Sequence, residues 1–269
     1  MLEVQSTYYE NESMFHGFMN HIMGTRLDIL LIHPDSTLAD KLWSAIVEEL
    51  KCLEKMLDRF NPQSEVALLN KHLSVNKTPI STELWTMLQL CRQYYEQTLH
   101  LFDITLKDFS QVNFHSNCFI SSNRPDLSFD FGGFAKGYAL KKIRKMIVCA
   151  NVKNAFVNFG NSSIMGIGHH PYGKCWKVSF LNPYNQIPLN EFDLNDTTLS
   201  TSGNTGQYTG HIINPLTGVY DEQRKASTIV SEDPLDAEVL STVWMIANEQ
   251  QREQINTNFK NIKGIIYTL

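Results

Sequence analysis

The strongest constraint on the fold is the segment spanning residues 36–58, in which apolar side chains recur at the spacing of an α-helix. The apolar positions are Leu38, Leu42, Ile46, Leu50, Leu53 and Leu57. Because these positions share one side of a helix, that side must be buried against another element. Residues 27–32 form a short apolar run before this segment and predict a β-strand. A long amphipathic helix that follows a strand indicates a fold containing both α and β structure.

The rest of the chain alternates irregularly between helical and strand-like segments. Helices are predicted at residues 64–70, 81–99, 135–148 and 235–248, and strands at residues 155–158, 164–167, 176–180, 197–201, 227–230 and 264–268. Residues 108–128 are rich in Asn and Ser and predict a loop or an irregular strand. Because a regular strand–helix–strand rhythm is absent, an α+β fold is favoured over a doubly wound sheet.

Composition and the chain ends limit the classes of protein that remain. Residues 1–20 are expected to be a frayed, polar N-terminus, and residues 21–269 to form one domain. The formal net charge of −5 argues against nucleic-acid binding, which needs clustered Lys and Arg. The five cysteines are scattered without a C-x-x-C pair, so neither a disulfide framework nor a zinc site is predicted. Since neither a signal peptide nor an apolar run of ~20 residues is found, a cytoplasmic location is expected.

The segment D-F-G-G-F-A-K-G at residues 130–137 is the first candidate for chemistry. Its paired glycines let backbone N–H groups approach a bulky anion without interference from a Cβ atom. The helix predicted to begin near Ala135 would direct its positive N-terminal end to the same place, and Lys136 would add a cation. One interpretation is phosphate or dinucleotide binding, and the other is a plain glycine turn before a helix. The spacing matches neither a P-loop nor a Rossmann fingerprint.

Two further segments carry candidate catalytic or metal-binding residues. His211 lies between turns rich in glycine and hydroxyl residues, where it is either a general base or a structural histidine. Glu238 and Thr242 are four residues apart, so they share one face of a helix. A carboxylate and a hydroxyl form a hard oxygen pair that suits Mg²⁺, whereas an ordinary helical surface is the alternative interpretation.

Seven motifs, taken together, resemble those of the ApbE family, the FAD:protein FMN transferases, and occur in the same order. They are M-G-T at residues 23–25, R-F with S-E and L-N at residues 59–70, F-D-I-T at 102–105, D-F-G-G-F-A-K-G at 130–137, N-F-G at 158–160, T-S-G with H-I-I-N-P-L-T-G at 201–218, and A-E-V-L-S-T at 237–242. Each motif alone is weak, but seven in one order are specific. The resemblance runs from about residue 22 to the C-terminus.

The resemblance implies a fold, a reaction and a set of site residues. The fold would be α+β of the T-fold type, with mixed sheets and packed helices. The reaction would cleave FAD, attach FMN to a threonine of an acceptor flavoprotein with a D-x-(S/T)-G-(A/S)-T motif, and release AMP. His211 would take the proton of that threonine. Mg²⁺ would be held by the Gly133 carbonyl and by Glu238, Ser241 and Thr242. FAD would contact Met23, Phe60, Leu101, Phe102, Asp103, Asp130, Lys136 and Ile212.

Five features depart from the family pattern. Glu238 stands where Asp is usual, and its extra methylene moves the carboxylate by ~1 Å, which matters for the octahedral geometry of Mg²⁺. The other departures are Asn161-Ser162 in place of Gly and a polar or acidic residue, His100 in place of Gly, Asn214 in place of Asp, and a shorter region between Thr105 and Asp130. Two alternatives to a transferase therefore stay open: an FAD pyrophosphatase that yields FMN and AMP, and a relative that binds FAD without turnover.

Overall fold

The computed structural model describes residues 2–73, 76–124, 126–204 and 212–269. The strands of this part of the chain are β1 (Glu3–Tyr9), β2 (Met14–Ile22), β3 (Thr25–Ile32), β4 (Thr78–Pro79), β5 (Val112–His115), β6 (Phe119–Ser122), β7 (Asn154–Phe159), β8 (Ser163–Ile167), β9 (Trp176–Leu181), β10 (Pro188–Leu194), β11 (Thr197–Gly203), β12 (Ile213–Asn214), β13 (Val219–Tyr220), β14 (Lys225–Ser231) and β15 (Lys263–Thr268). The helices are α1 (Ser36–Leu57), α2 (Glu65–His72), α3 (Thr82–Gln97), α4 (Ala135–Cys149), α5 (Pro234–Ile246) and α6 (Glu249–Asn256). The predicted α+β class is confirmed.

A central sheet of eight strands organises the molecule, in the order β1-β2-β3-β7-β8-β11-β14-β15. In the described part of the chain, three smaller sheets pair β9 with β10, β12 with β13, and β6 with both β4 and β5. Mixed sheets were expected, but the neighbouring strands of the described chain all run antiparallel. Strands that follow each other directly, as in β2–β3 and β7–β8, are joined by tight turns, which antiparallel pairs permit.

Different elements cover the two faces of the central sheet, because side chains alternate along each strand. On β3, Leu27, Ile29 and Leu31 enter the main core, to which α1, α4 and α5 also contribute. Leu30 and Ile32 point the other way and pack against a smaller cluster that contains residues of the β9–β10 hairpin. Helices α4 and α5 contact each other as well as the sheet, so the helical layer is continuous beside β8 and β11.

Local capping signals explain where the helices begin. The Asp35 carboxylate accepts the Leu38 N–H at 3.0 Å at the start of α1. Ser64 accepts from Ala67 at the start of α2, and Ser81 caps α3 in the same way. The predicted apolar side of α1 is buried from Leu42 to Leu57, as its periodicity required. These helices were therefore predicted correctly within a few residues.

The N-terminal residues differ from the expectation of a frayed segment at residues 1–20. Strands β1 and β2 form one edge of the central sheet. On β2, Phe15 and Met19 are buried in the main core, and Gly17 lies against the Trp43 ring, where a Cβ atom would come within 2.8 Å. The alternation of these residues was a strand signal in the sequence. Strand β1 is mostly exposed, and its backbone pairing with β2 holds it in place.

Two other segments are more structured than expected. The predicted helix at 235–248 ends at Ile246, because Asn248 caps a second helix, α6, in a capping box with Gln251. The shortened region at 108–128 contains the β5–β6 hairpin and a short 3₁₀ turn, Phe109–Gln111. Within the described ranges, none of the helices is long and apolar enough to span a bilayer.

Candidate functional site

One cavity of about 860 Å³ collects most of the residues singled out in the sequence. The predicted residues that line it are Phe60, Leu101, Phe102, Asp103, Asp130, Gly133, Lys136, Ile212, Glu238 and Thr242. Met23 lines an adjoining cavity of about 470 Å³, which shares Arg59, Phe60, Asp130, Gly132 and Lys136 with the first. His211 lies outside the described residues, and its neighbour Ile212 is part of the cavity wall. The volume is in the range of small-molecule and cofactor pockets.

The glycine-rich segment forms the wall of the cavity that is suited to an anion. The Asp130 carboxylate accepts the Gly132 N–H at 2.9 Å and lies 3.0 Å from the Arg59 guanidinium. This turn leads into α4 at Ala135, and the N-cap residue Phe134 makes no side-chain cap hydrogen bond. The Phe134 and Ala135 N–H groups donate to the Phe131 carbonyl at 2.9 and 2.8 Å, so the turn closes on itself at the start of the helix. The helix dipole still favours a negative charge there.

Gly137 sets how closely α4 approaches α5. A Cβ atom at this position would lie 2.5 Å from Glu238 Cβ and 3.0 Å from the Pro234 carbonyl oxygen. Only a residue without a side chain permits such contact. The last glycine of the motif thus brings Glu238 close to the start of α4, where Lys136 is located.

Glu238 is a buried carboxylate with three polar contacts. It is 4% exposed, and Lys136 Nζ lies 3.2 Å from its Oε1 atom. The hydroxyls of Ser163 and Ser200 both donate to Oε2, at 2.5 and 2.8 Å. A carboxylate removed from water needs such partners, because an unpaired buried charge is costly. Lys136 Nζ also donates to Ser162 and Ser163, so the lysine and the glutamate belong to one network.

The hydroxyl residues of α5 divide between the cavity and the layer behind it. Thr242 lines the cavity beside Gly133, and a Cβ atom on that glycine would lie 3.4 Å from Thr242 Oγ1. Ser241 was expected to bind the metal, but it is 1% exposed and is not part of the cavity wall. Its hydroxyl donates to the Glu238 carbonyl at 2.8 Å and also contacts Ser202 Oγ at 2.8 Å. Through its contact with Ser202, Ser241 links α5 to strand β11 of the central sheet.

The remaining predicted FAD contacts provide an apolar surface and a fixed turn. Phe60 is 82% exposed, with the Arg59 guanidinium 4.8 Å from its ring centroid, whereas Leu101 and Phe102 are buried. Asp103 accepts the N–H and hydroxyl of Thr105 through one oxygen and the N–H of Phe109 through the other. Burial raises the pKa of Asp103 despite these hydrogen bonds. The hydrogen bonds that Asp103 accepts from Thr105 and Phe109 fix the turn at the edge of the cavity.

Backbone geometry accounts for two of the departures from the family pattern. His100 and Asn161 replace glycines, and both lie in the left-handed region, with φ of 65° and 57°. The His100 ring stacks on Tyr95 with centroids 4.2 Å apart. The Asn161 side chain accepts the Nδ2–H of Asn158 at 2.8 Å, and asparagine tolerates this backbone region better than most residues. Both residues therefore adopt a backbone conformation that glycine reaches without strain.

The donor atoms near Glu238 fit a hard divalent cation better than a transition metal. Across the described ranges, no group of three or more His, Cys, Asp or Glu side chains is arranged to hold a metal. At this part of the cavity wall, Glu238 contributes a carboxylate and Thr242 a hydroxyl, which contacts the Ser202 hydroxyl at 3.2 Å, beside the backbone of Gly133. Mg²⁺ uses few protein ligands and takes its remaining oxygens from water and phosphate, so the set suits a magnesium–phosphate ligand.

The sequence interpretation missed Ser163 and Ser200, the two hydroxyls that contact Glu238. A signal was present in β11, where Thr198, Ser200 and Ser202 alternate with other residues and so share one face of the strand. Leu199 points to the opposite face and joins the smaller hydrophobic cluster. A strand with hydroxyls on the side facing a helix indicates a buried polar network.

This chain is similar to known proteins that are named FAD:protein FMN transferases. The ApbE family model matches residues 23–116 and 106–266. A FAD:protein FMN transferase of Klebsiella pneumoniae (strain 342) is 20% identical over 295 residues, covering 93% of this chain and 90% of the relative. A FAD:protein FMN transferase of Chlamydia pneumoniae is 25% identical over 203 residues, covering 62% of each chain.

Solved structures show the same fold. The flavin transferase ApbE from Vibrio cholerae aligns with a TM-score of 0.81 at 18% identity, covering 98% of this chain and 94% of that one. The apo form of Pseudomonas stutzeri flavinyl transferase ApbE aligns with a TM-score of 0.80 at 18% identity, covering 100% and 91%. The architecture of the sheet and its helical layer is therefore common to these proteins.

Proposed function

The chain belongs to the ApbE family, and we propose that it is an FAD:protein FMN transferase. The observation that supports this most is the cavity of about 860 Å³, whose wall contains ten of the twelve residues assigned to FAD or metal through the family motifs. These residues come from segments far apart in the chain. Their convergence on one cavity is what a dinucleotide site requires.

The proposed reaction replaces the phosphoanhydride bond of FAD with a phosphoester bond to the acceptor. The bond between the FMN phosphorus and the bridging oxygen of FAD breaks, and a threonine oxygen of the acceptor forms a new bond to that phosphorus. AMP leaves with the bridging oxygen, and the threonine hydroxyl loses a proton. We assign His211 as the base that accepts this proton, because its neighbour Ile212 lies in the cavity wall.

Three features of the chain would hold the pyrophosphate during this reaction. The N-terminal end of α4 directs the positive end of its helix dipole to this wall, and Lys136 and Arg59 contribute positive charge there. The exposed ring of Phe60 and the buried side chains of Leu101 and Phe102 supply apolar surface for the ring systems of FAD. Orientation of the phosphorus toward the acceptor follows from fixing both ends of the dinucleotide.

We also propose Mg²⁺ as the metal, held by Glu238, Thr242 and the Gly133 carbonyl. When bound, it would supply positive charge to the pyrophosphate and the leaving AMP. Lys136, whose Nζ atom lies 3.2 Å from Oε1 of Glu238, would add a second positive charge beside this set. Ser241 is left out of this set, because its hydroxyl is engaged behind the cavity wall.

Incubation of the purified protein with FAD, Mg²⁺ and a D-x-(S/T)-G-(A/S)-T acceptor domain tests the proposal. We expect an acceptor that gains the mass of FMN and flavin fluorescence in a denaturing gel, together with one AMP per transfer. Release of AMP and FMN without acceptor labelling would show an FAD pyrophosphatase instead. FAD binding without release of AMP would show a protein that binds the dinucleotide but does not turn it over.

The role of His211 is tested by replacing it with alanine. We expect His211→Ala to lower the rate of flavinylation by about 10²–10⁴-fold, the range for loss of a general base, while FAD affinity changes little. His72→Ala, at an exposed position of α2, is the matched control and should retain the wild-type rate. Equal rates for His211→Ala and wild type would exclude His211 as the base.

A further inference from the structure

Two buried serines face each other across neighbouring strands beneath α5. Ser163 begins β8 and Ser200 lies in β11, and the two are direct partners in the antiparallel register. They are 0% and 1% exposed. Directly opposed residues place their side chains on the same face of the sheet, within about 5.5 Å of each other. Here that face is the one covered by the helical layer.

Both hydroxyls donate to the same oxygen of Glu238. Ser163 Oγ lies 2.5 Å and Ser200 Oγ 2.8 Å from Oε2. The other oxygen, Oε1, has Lys136 Nζ at 3.2 Å. The carboxylate is thus oriented in one way: Oε2 is directed to the sheet, and Oε1 is directed to Lys136, a residue of the cavity wall.

A glutamate needs this restraint more than an aspartate does. Its side chain has one more rotatable bond, and fixing that bond costs conformational entropy. Hydrogen bonds from neighbouring groups orient a metal-binding carboxylate, and their loss typically costs 10–100-fold in metal affinity. Glu238 stands at a position where the family pattern has Asp, so the longer side chain must be held back to present its oxygen at a suitable place.

We propose that Ser163 and Ser200 are positioning residues that hold Oε2 of Glu238 against the sheet, so that Oε1, which also contacts Lys136, is the oxygen presented to a divalent cation in the cavity. The proposal rests on the proposed function only in assuming that a cation binds beside Glu238. In this proposal the two serines act only through the Glu238 carboxylate. They contact neither FAD nor the acceptor.

Binding of Mn²⁺, followed by electron paramagnetic resonance with saturating FAD and no acceptor, provides the test. We expect Ser163→Ala and Ser200→Ala each to weaken Mn²⁺ binding by about tenfold, the low end for loss of a partner of a metal ligand. The double variant should weaken it further. Wild-type Mn²⁺ affinity in both single variants, or no Mn²⁺ binding by the wild-type protein, would overturn the proposal.

A double-mutant cycle with Glu238→Asp separates positioning from general damage to the fold. We expect the shorter carboxylate of Glu238→Asp not to reach both hydroxyls, so in that background the serine substitutions should change Mn²⁺ affinity by less than about twofold. Equal losses in the two backgrounds would mean that the serines act on the fold and not on the carboxylate, and the proposal would be wrong.

Ser227 supplies a matched control on the next strand. It is 0% exposed, and its hydroxyl donates to the Ser241 carbonyl, so it anchors the same helix without touching the carboxylate. Ser227→Ala should lower the melting temperature much as the other serine variants do while retaining wild-type Mn²⁺ affinity. Because this experiment omits the acceptor, failure of the transferase proposal would appear separately, as missing flavinylation with Mn²⁺ binding intact.

Discussion

The ion pair between Lys136 and Glu238 links the glycine-rich motif of α4 to the polar face of α5. The side chains of Lys136 and Glu238 are 22% and 6% exposed, so the pair is largely removed from water. In such surroundings each charge depends on the other, because the loss of one partner leaves a buried charge uncompensated. Lys136 also lines the cavity, so the same ammonium is available to a phosphate.

We expect Lys136→Met to lower the free energy of unfolding by about 3 kcal/mol, the low end for a broken buried pair, because the lysine keeps some contact with water. FAD binding should weaken at least tenfold, since a charged hydrogen-bond donor at the pyrophosphate is lost. Urea denaturation and quenching of FAD fluorescence measure the two effects. Lys136→Arg retains the charge and should lose less of both. An unchanged FAD affinity in Lys136→Met would place the pyrophosphate elsewhere.

Asp28 on β3 is a charged residue that contributes to stability and lies away from the cavity. Hydrogen bonds from Arg26 hold the pKa of Asp28 below its ordinary value, opposed by partial burial, and His16 adds a further contact. Because the pKa is lower in the folded state, the stabilisation is present above the unfolded pKa of about 3.9 and is lost as pH falls through the folded value.

Asp28→Asn should therefore make the melting temperature less dependent on pH between about pH 5 and pH 2. The effect should be small, because Asp28 is partly exposed and solvent screens the pair. Differential scanning calorimetry at several pH values measures it. A steeper loss of stability with acid in the variant would mean that Asp28 is not stabilised by its partners.

At the scale of elements, the contact between α4 and α5 determines the shape of the site. Gly137 lies at the crossing of the two helices, where a side chain would meet Glu238 Cβ and the Pro234 carbonyl. The N-terminal end of α4 supplies Lys136 and the positive end of the helix dipole, and the adjoining face of α5 supplies Glu238 and Thr242. Separation of the helices would alter both halves of the site together.

Gly137→Ala should lower the free energy of unfolding by about 1–3 kcal/mol, the usual cost of an extra methyl in a packed interior. The higher helix propensity of alanine, about 1 kcal/mol, offsets part of this loss. FAD affinity should fall as well, because Glu238 and Lys136 are displaced. Lys145→Ala, at an exposed position of the same helix, should stay within about 0.5 kcal/mol of wild type. Wild-type urea stability of Gly137→Ala would show that the helices can separate without cost.

At the scale of the whole molecule, the cavity is built from segments that lie far apart in the sequence. Residues near positions 60, 103, 133, 161, 202, 213 and 240 all contribute to its wall. A ligand that bridges these segments stabilises the folded state against global unfolding, because the unfolded chain cannot assemble the site.

We expect FAD with Mg²⁺, at about 100 times the dissociation constant, to stabilise the protein by about 2.7 kcal/mol. For a chain of this length the melting temperature should rise by roughly 5–10 °C. The shift should be smaller with FAD alone and smaller again in Glu238→Gln, as thermal denaturation monitored by circular dichroism would show. Equal shifts with and without Mg²⁺ would argue against a metal beside Glu238.

The sequence by itself determined several of the helices and strands, and it indicated which residues belong to the site. The helix at 36–58, the strand at 27–32 and the start of α4 near Ala135 follow from periodicity and capping, which depend on residues within a turn or two. The seven ordered motifs indicated the family, and ten residues carried over from them line one cavity. Strand β2 was missed although the alternation of Phe15 and Met19 was visible, because the polar flanks masked it.

Only the tertiary structure decided how these parts meet. Ser163 and Ser200 contact Glu238 because β8 pairs with β11 in one register beneath α5, and local sequence does not encode that register. The same packing turns Ser241 toward the sheet and leaves Thr242 in the cavity, although the two are adjacent in the chain. Residues one position apart on a helix face different surroundings, and those surroundings come from long-range contacts.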